Sequence, residues 1–398
     1  MISPAEAEAA IIAQAPALPP SSTPLEGLVG TVLRETISAT RDQPPFDRVT
    51  MDGIAFAYAA YARGRRAFKI AGTQAAGAAP FPLQDAEACV EVMTGAILPP
   101  GCDCVLPVEN LSIREGFAHL ADDAAPTPLL NIHGRGIDCQ AGTVLISPSV
   151  RLGPAEIAVI ASTGLTHASV SRTPRIAVIS TGDELVQPGG PILDWQIYRS
   201  NAYAVLAGLT RRGFGQLHQD HLPDDLDTLR MRLSTHLENN DVLILSGGVS
   251  MGRYDYVPQV LQELGISPAF HKIAQRPGKP MWFGVGRGGK SVYALPGNPV
   301  STMVCLARYV YRGLAASQGA VAAPAESVRL AADFQVKPAL TMFVPVALTF
   351  EQGMRLALPR PTQGSGDFTS LLGTDGFVEL PPGPRLVAHS SAVPFFPW

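Results

Sequence analysis

The chain has 398 residues, two to three times the usual size of one domain, and should bury several separate cores. Its 38 glycines and 36 prolines exceed average usage, yet 46% of residues are hydrophobic and 16% charged, a balance that excludes disorder, long coiled coils and helical bundles. A net charge of −4 offers no basic field to nucleic acid or an anionic membrane. No apolar run reaches the roughly 18 residues of a bilayer span. The N-terminus carries acidic residues where a secretory signal needs a basic region, so a cytoplasmic protein is expected.

Residues 1–40 begin with an Ala/Glu helical pattern, pass through the linker-like LPPSSTP (Leu18 to Pro24), and end in a second helical pattern, EGLVGTVLRETI. Residues 41–138 are short apolar runs split by Gly and Pro, which reads as β-rich. Residues 139–173 pair a strand-like run with a helix opened at Pro154, a residue suited to a first helical turn. The cysteines form no CxxC pair, so neither a disulfide framework nor a structural zinc site is indicated, and Cys102 and Cys104 read as ordinary thiols.

Over residues 174–318 apolar strand-length runs alternate with helical patterns. RIAVIS and DVLILS read as buried strands. SNAYAVLAGLTRRG reads as a helix from an N-cap at Ser200 to a stop at Gly213, DDLDTLRMRLSTHLEN as one opening on Asp224, and YDYVPQVLQELG as one ending at Gly265. Two more strand-like runs, MWFGV and SVYAL, precede a helix opened by Asn298 with Pro299 in its first position. Such alternation predicts a mostly parallel, doubly wound sheet with helices on both faces. The linker GAVAAPAES then leads to a Pro-rich β stretch over 327–398.

In an open α/β sheet, ligands bind at the carboxyl ends of the parallel strands. Three loops meet that condition: TGDEL (Thr181 to Leu185), SGGVSMGRYD (Ser246 to Asp255) and PGNPVS (Pro296 to Ser301). Ser180, Thr181 and Gly182 close the first strand, and Ser246, Gly247, Gly248, Ser250 and Gly252 can present backbone N–H groups to a phosphate or another oxyanion. Pro296, Gly297, Asn298, Pro299 and Ser301 offer a second cluster of amide donors at a helix start. Asp183, Glu184, Asp224 and Asp255 accompany these loops; taken alone Asp224 reads as a helix cap. Beside a phosphate cradle such carboxylates need a cation between, and oxygen ligands plus phosphate point to Mg²⁺. Arg276 and Lys279 in QRPGKP form either a compact oxyanion site on a rigid turn or two solvated surface bases. GVGRGGKS fits the spacing of a P-loop, but the β-branched and aromatic run after it predicts a hairpin turn instead.

With these loops, the chain resembles the molybdopterin molybdenumtransferase family, which includes MoeA and the C-terminal domain of gephyrin. The resemblance runs through nearly the whole chain. It rests on PPFDRVTMDGIAF, VMTGAILPPGCDCVLPVE and GRGIDCQAGT in the first half, then STGDEL, DWQIYRSN, LSGGVSMGRYDY, RPGKP and LPGNPVS. It implies a fold of class α/β plus β: an elongated linker and dimerisation domain (1–40 with 139–173), a β-rich domain carrying MDG and MTG (41–138), a doubly wound domain that binds molybdopterin (174–318), and a small C-terminal β-barrel-like domain (327–398). It implies a homodimer whose active site lies between the α/β domain of one subunit and the MDG/MTG domain of the other, with molybdopterin adenylyltransferase and molybdoenzyme maturation factors as further partners. Enzymes like this insert molybdate into adenylylated molybdopterin with Mg²⁺ and release AMP. Carried over by position, Asp52, Thr94, Asp138, Asp224, Asp255 and Lys279 match catalytic positions, Arg276, Pro296, Pro299 and Ser365 match substrate-binding ones, and Glu184, Asp224 and Asp255 match metal ligands.

Two departures stand out. Where the family writes FDNSAMDGYA this chain has FDRVTMDGIA, so Arg48 either strengthens anion binding near Asp52 or pairs with its carboxylate and silences it. Pro345 in MFVPV stands where the family often has an arginine, removing a charge and a backbone donor. These changes keep a non-catalytic or specialised molybdopterin-binding paralogue as an alternative. A molybdopterin adenylyltransferase is a further one, against which GGVSMG in place of that family's GGTG turn counts.

Overall fold

The computed structural model describes residues 1–249, 256–321, 324–337, 339–360 and 362–398. The expected site residues Ser250, Gly252 and Asp255 lie outside the described residues. The chain forms two compact units: Met1–Glu35 with Pro148–Pro154 and His167–Trp398, and Thr36–Ser147 with Ala155–Thr166.

The first unit is built on the alternating elements β1 (Ile176–Thr181), α1 (Asn201–Arg211), β2 (Leu217–Leu222), α2 (Leu226–Asn239), β3 (Val242–Ser246), α3 (Val257–Glu263), β4 (Ser267–His271), β5 (Trp282–Gly286), β6 (Lys290–Leu295), α4 (Pro299–Cys305) and α5 (Tyr311–Ser317). The strands form one sheet in the order β2-β1-β3-β6-β5-β4, parallel through β6 and antiparallel beyond it. β1 is buried at every position because both faces are covered. Ile176 and Val178 enter a core with Val205 and Leu209 of α1, while Ala177 and Ile179 enter another with Leu229, Leu233 and Leu261. That strict alternation is the pleat of a strand sandwiched between two helical layers. The GVGRGGKS segment is the turn between antiparallel β5 and β6, with Gly288 and Gly289 at φ +69° and +76°; no helix opens there.

The same unit carries a closed barrel of five strands: β7 (Glu326–Leu330), β8 (Thr341–Glu351), β9 (Met354–Pro359), β10 (Gly376–Leu380) and β11 (Ala392–Pro397). Their order is β8-β9-β7-β11-β10, and β10 returns to pair with β8. Closure removes the open edges of a small sheet, and its interior is filled by Val328, Leu330, Val344, Val346, Val378 and Phe395. Pro345 sits in β8 opposite Phe377, and its carbonyl accepts from the Arg360 amide at 2.8 Å. The short strand Gln275–Arg276 pairs in parallel with the start of β8, which ties the QRPGKP turn to the barrel.

Three expectations change. LPPSSTP is a strand, Pro20–Pro24, paired antiparallel with His167–Ser171. EGLVGTVLRETI is no helix: one 3₁₀ turn (Leu25–Gly27) gives way at Gly30, φ +75°, to extended chain. The Gly30, Leu33 and Arg34 amides donate to Leu152, Val150 and Ser169, so long-range pairing takes the place of helical bonds. Finally, α2 is capped by Asp225, whose side chain accepts from the Thr228 amide at 2.8 Å, and not by Asp224.

The second unit is a six-stranded sheet in the order Cys104–Pro107, Gly53–Phe56, Ala88–Val92, Ala67–Gln74, Phe117–Leu120, Leu111–Arg114. Its two faces bury Ile54, Phe56, Phe68 and Leu106 on one side and Ala55, Val90, Val92 and Val105 on the other. Cys102 and Cys104 are buried free thiols, pushed by burial up to about 12.

Candidate active site

At the carboxyl ends of β1, β3 and β6 the first unit opens a pocket of about 660 Å³. It gathers Thr181, Gly182, Glu184, Asp224, Gly247, Gly248, Arg276, Lys279, Pro296, Gly297, Asn298, Ser301 and Ser365 of the expected residues. Ser180 and Ser246 are buried at the strand ends beneath it, and neither they nor Pro299 line it.

The floor is backbone. Gly247 and Gly248 take φ +101° and +64°, a region that strains any other residue. A Cβ on Gly247 would lie 2.5 Å from the Thr181 carbonyl oxygen, and one on Gly248 2.7 Å from Val257 Cγ2. Only glycine lets strand end and loop approach this closely; the Gly247 amide is taken by the Leu295 carbonyl at 3.2 Å, and Gly248 follows it along the pocket floor. The Thr181 hydroxyl, packed against both glycines, is buried and finds no hydrogen-bond partner among the described residues. Gly182 likewise has φ +138°, and the Glu184 carboxylate folds over it so closely that a Cβ would lie 2.6 Å from Oε2.

With Asp225 as the cap, Asp224 lines the pocket, and the Asp224 amide donates to Asp183 Oδ1 at 3.1 Å. Glu184 and Asp224 therefore share one pocket with the glycine loops. Among the described residues no three metal-binding side chains cluster, but a Mg²⁺ ion typically takes one or two carboxylates and completes its shell with water and substrate phosphate. This donor set fits that pattern.

Arg276 and Lys279 are exposed on a turn braced from below. Gln275 is fully buried: its Nε2 donates to the Pro277 carbonyl at 3.0 Å, and its Oε1 accepts from the Tyr309 hydroxyl. Cys305 donates to the Gly278 carbonyl, Sγ to O 3.7 Å, where φ +90° and a neighbouring sulfur exclude a side chain. Burial pushes both the Tyr309 hydroxyl and the Cys305 thiol up, so each stays a neutral donor. The Ile273 amide bonds to the Lys279 carbonyl at 2.9 Å, closing the turn.

The helix start at Asn298 is less open than expected. Asn298 makes no capping bond; its Nδ2 donates to Ser365 Oγ at 2.6 Å, and the Ser365 carbonyl already accepts from the Val300 amide at 3.0 Å. Ser365 thus latches the barrel loop onto α4.

In the second unit Asp52 and Thr94 form a pair. Asp52 Oδ1 accepts from the Thr94 amide at 2.6 Å and the Thr94 hydroxyl at 2.7 Å, and these bonds, the hydroxyl's first, hold the Asp52 carboxyl below its ordinary range. Gly53 is required because a Cβ would collide with the Leu106 carbonyl. Arg48 pairs in sheet register with His133, and among the described residues Asp52 makes no ion pair. The silencing contact is not formed. Asp138 bonds to His133 Nε2 at 2.8 Å, separately from the Asp52–Thr94 pair.

Comparison with known proteins agrees with this geometry. The MoeA N-terminal region (domain I and II) matches residues 2–164, a probable molybdopterin binding domain matches 177–316, and the MoeA C-terminal region (domain IV) matches 327–398. The chain belongs to the MoeA family. A molybdopterin molybdenumtransferase of Synechocystis sp. is 40% identical over 100% of both chains. One of Bacillus subtilis is 30% identical, covering 91% of this chain and 86% of its own. Among solved structures, the molybdopterin biosynthesis MoeA protein from Pyrococcus horikosii superimposes with TM-score 0.82 at 29% identity, over 100% of this chain and 99% of that one.

Sequence reasoning missed the MoeA pocket's other wall. Phe334, Met342, Phe343, Val344 and Pro345 reach it from the barrel side, and the Gln275–Tyr309–Cys305 brace lies behind it. The sequence marks Pro345 only as a departure from the family, and Gln275, inside the QRPGKP motif, could have been suspected as a large polar residue in a Pro/Gly turn.

Proposed function

We propose that the chain is a molybdopterin molybdenumtransferase that inserts molybdate into adenylylated molybdopterin and releases AMP, giving molybdenum cofactor. The observation that carries this reading is the meeting, in one pocket of a MoeA-family chain, of the glycine loops, the Arg276–Lys279 turn, Glu184 and Asp224. The Gly248 amide receives phosphate oxygens, whose negative charge grows as the phosphoanhydride breaks. Lys279 and Arg276 hold an oxyanion, molybdate or phosphate, by charge-assisted hydrogen bonds. Glu184 and Asp224, with Asp255, would hold Mg²⁺, which when bound neutralises charge on the phosphoanhydride. Asp52 is kept ionised by Thr94, as an acceptor or base must be.

The reading includes a cytoplasmic homodimer, the four-domain division 1–40 with 139–173, 41–138, 174–318 and 327–398, and a catalytic place for Asp138. No helix among the described residues is long and apolar enough to cross a membrane. The test is AMP release from adenylylated molybdopterin with Mg²⁺ and molybdate. Lys279→Ala should raise the molybdate KM roughly 10- to 100-fold, the value of a lost charge-assisted bond. No AMP at saturating molybdate refutes the assignment.

A further inference from the structure

The first unit holds a second cavity, of about 670 Å³, that shares no lining residue with the first. Its walls come from the C-terminal end of α1, from α5, from the end of β11 and from Arg151. Four guanidinium groups line it: Arg151, Arg211, Arg212 and Arg312. Arg312 is matched by Glu8 at 3.4 Å, and Glu326, the acid on this wall, is taken by Arg355 at 2.8 Å. Among the described residues the other three have no ion pair, and two of them are held in place by neutral groups. Arg151 donates to the Gly30 carbonyl at 2.5 Å and to Gln318 Oε1 at 3.2 Å. Arg212 donates to the Pro397 carbonyl at 3.2 Å, with its guanidinium carbon 3.8 Å from the centre of the Tyr311 ring.

The consequence is a set of positive charges without an acid partner among the described residues, two of them held in place. At Arg151 burial and then the Arg212 charge lower the guanidinium from its ordinary value. Holding like charges together without an acid is unfavourable unless an anion enters between them. The rest of the lining is apolar: Phe214 is buried, while Ile12, Val29 and Val321 are exposed at 39%, 69% and 75%. The volume falls in the range of small-molecule pockets, roughly 300 to 1,000 Å³.

We propose that this cavity binds a small amphipathic anion, its acidic head among Arg151, Arg211 and Arg212 and its apolar body against Phe214 and the Ile12–Val29–Val321 rim. The site is independent of the molybdenum chemistry and is tested without it. The probe is 8-anilinonaphthalene-1-sulfonate, an aromatic sulfonate that fluoresces when its ring leaves water, titrated into the full chain at low salt. One saturable site per chain is expected, displaced by octanoate far better than by inorganic phosphate. Arg211→Gln/Arg212→Gln should weaken it about tenfold or more, the scale of lost charge-assisted contacts. Arg212→Lys, which keeps the charge, should weaken it less, and Arg211→Gln alone, an exposed change, serves should the double variant fail to fold. Lys279→Ala should leave the titration unaltered. Equal affinity in the glutamine variants, displacement by phosphate as strong as by octanoate, or loss of the site in Lys279→Ala would each overturn the proposal.

Discussion

Gln275 offers the sharpest test of how the oxyanion turn is held. Its amide is fully buried and holds two oxygens, the Pro277 carbonyl and the Tyr309 hydroxyl, besides a weak contact to Cys305 Sγ at 3.8 Å. Gln275→Leu keeps the bulk but strands both, and each orphaned buried polar group costs about 1–3 kcal/mol, so the turn should lose about 2–4 kcal/mol of local stability. Tyr309→Phe strands only Gln275 Oε1 and should cost about 1–2 kcal/mol. In the double variant Leu faces Phe, and the Pro277 carbonyl alone is left unpaired. The double loss should therefore fall short of the sum of the singles by about 2–4 kcal/mol, the cost of the two orphans, Tyr309 hydroxyl and Gln275 Oε1, that it avoids.

A global melt would blur this, because a chain of several domains does not unfold in one step. Native-state hydrogen exchange reads the turn directly through the Ile273 and Met281 amides, bonded to the Lys279 and Gly278 carbonyls at 2.9 and 3.3 Å. At about 1.4 kcal/mol per factor of ten, protection should drop roughly 30- to 700-fold in Gln275→Leu and roughly 5- to 30-fold in Tyr309→Phe. Unchanged protection at both amides, or strictly additive losses in the double variant, would refute the idea that this buried amide holds the turn.

Gly247→Ala places a Cβ 2.5 Å from the Thr181 carbonyl oxygen at φ +101°, a strain of about 1–3 kcal/mol; it should cut AMP release, whereas Gly215→Ala, with open space around its Cβ, should not. Equal behaviour of the two variants counts against a backbone-built cradle. For Asp52 the folded pKa is lowered, so its contribution to stability is present above the ordinary aspartate range and fades as pH falls through the lowered value, on the acid side of about pH 4. Thr94→Val removes the hydroxyl and should move the Asp52 carboxyl titration, followed by NMR, back toward its ordinary value. An unmoved titration would show that the Thr94 amide does the work alone.

The parts of the fold that could be read from the chain are those whose cause is local. RIAVIS and DVLILS announce themselves because a strand covered on both faces needs apolar residues at every position, and Gly247 and Gly248 because their positive φ angles leave few other choices. EGLVGTVLRETI misleads for the opposite reason. Its apolar spacing suits a helix, but its backbone bonds go to residues more than a hundred positions away, at Val150, Leu152 and Ser169, and nothing within the segment records that. Asp224 and Asp225 show the limit at single-residue scale: either could cap α2, and the neighbour that does so decides that the other faces the pocket. The brace is harder still, since Gln275 and Tyr309 lie 34 residues apart and meet only through the packing of the helical segment Leu306–Val310 against the turn. A site made of backbone thus advertises itself through its glycines, while the side chains that hold it rigid need only complementary hydrogen bonds, which many residue types supply. The residues hardest to read here are therefore those on which the placing of Lys279 depends.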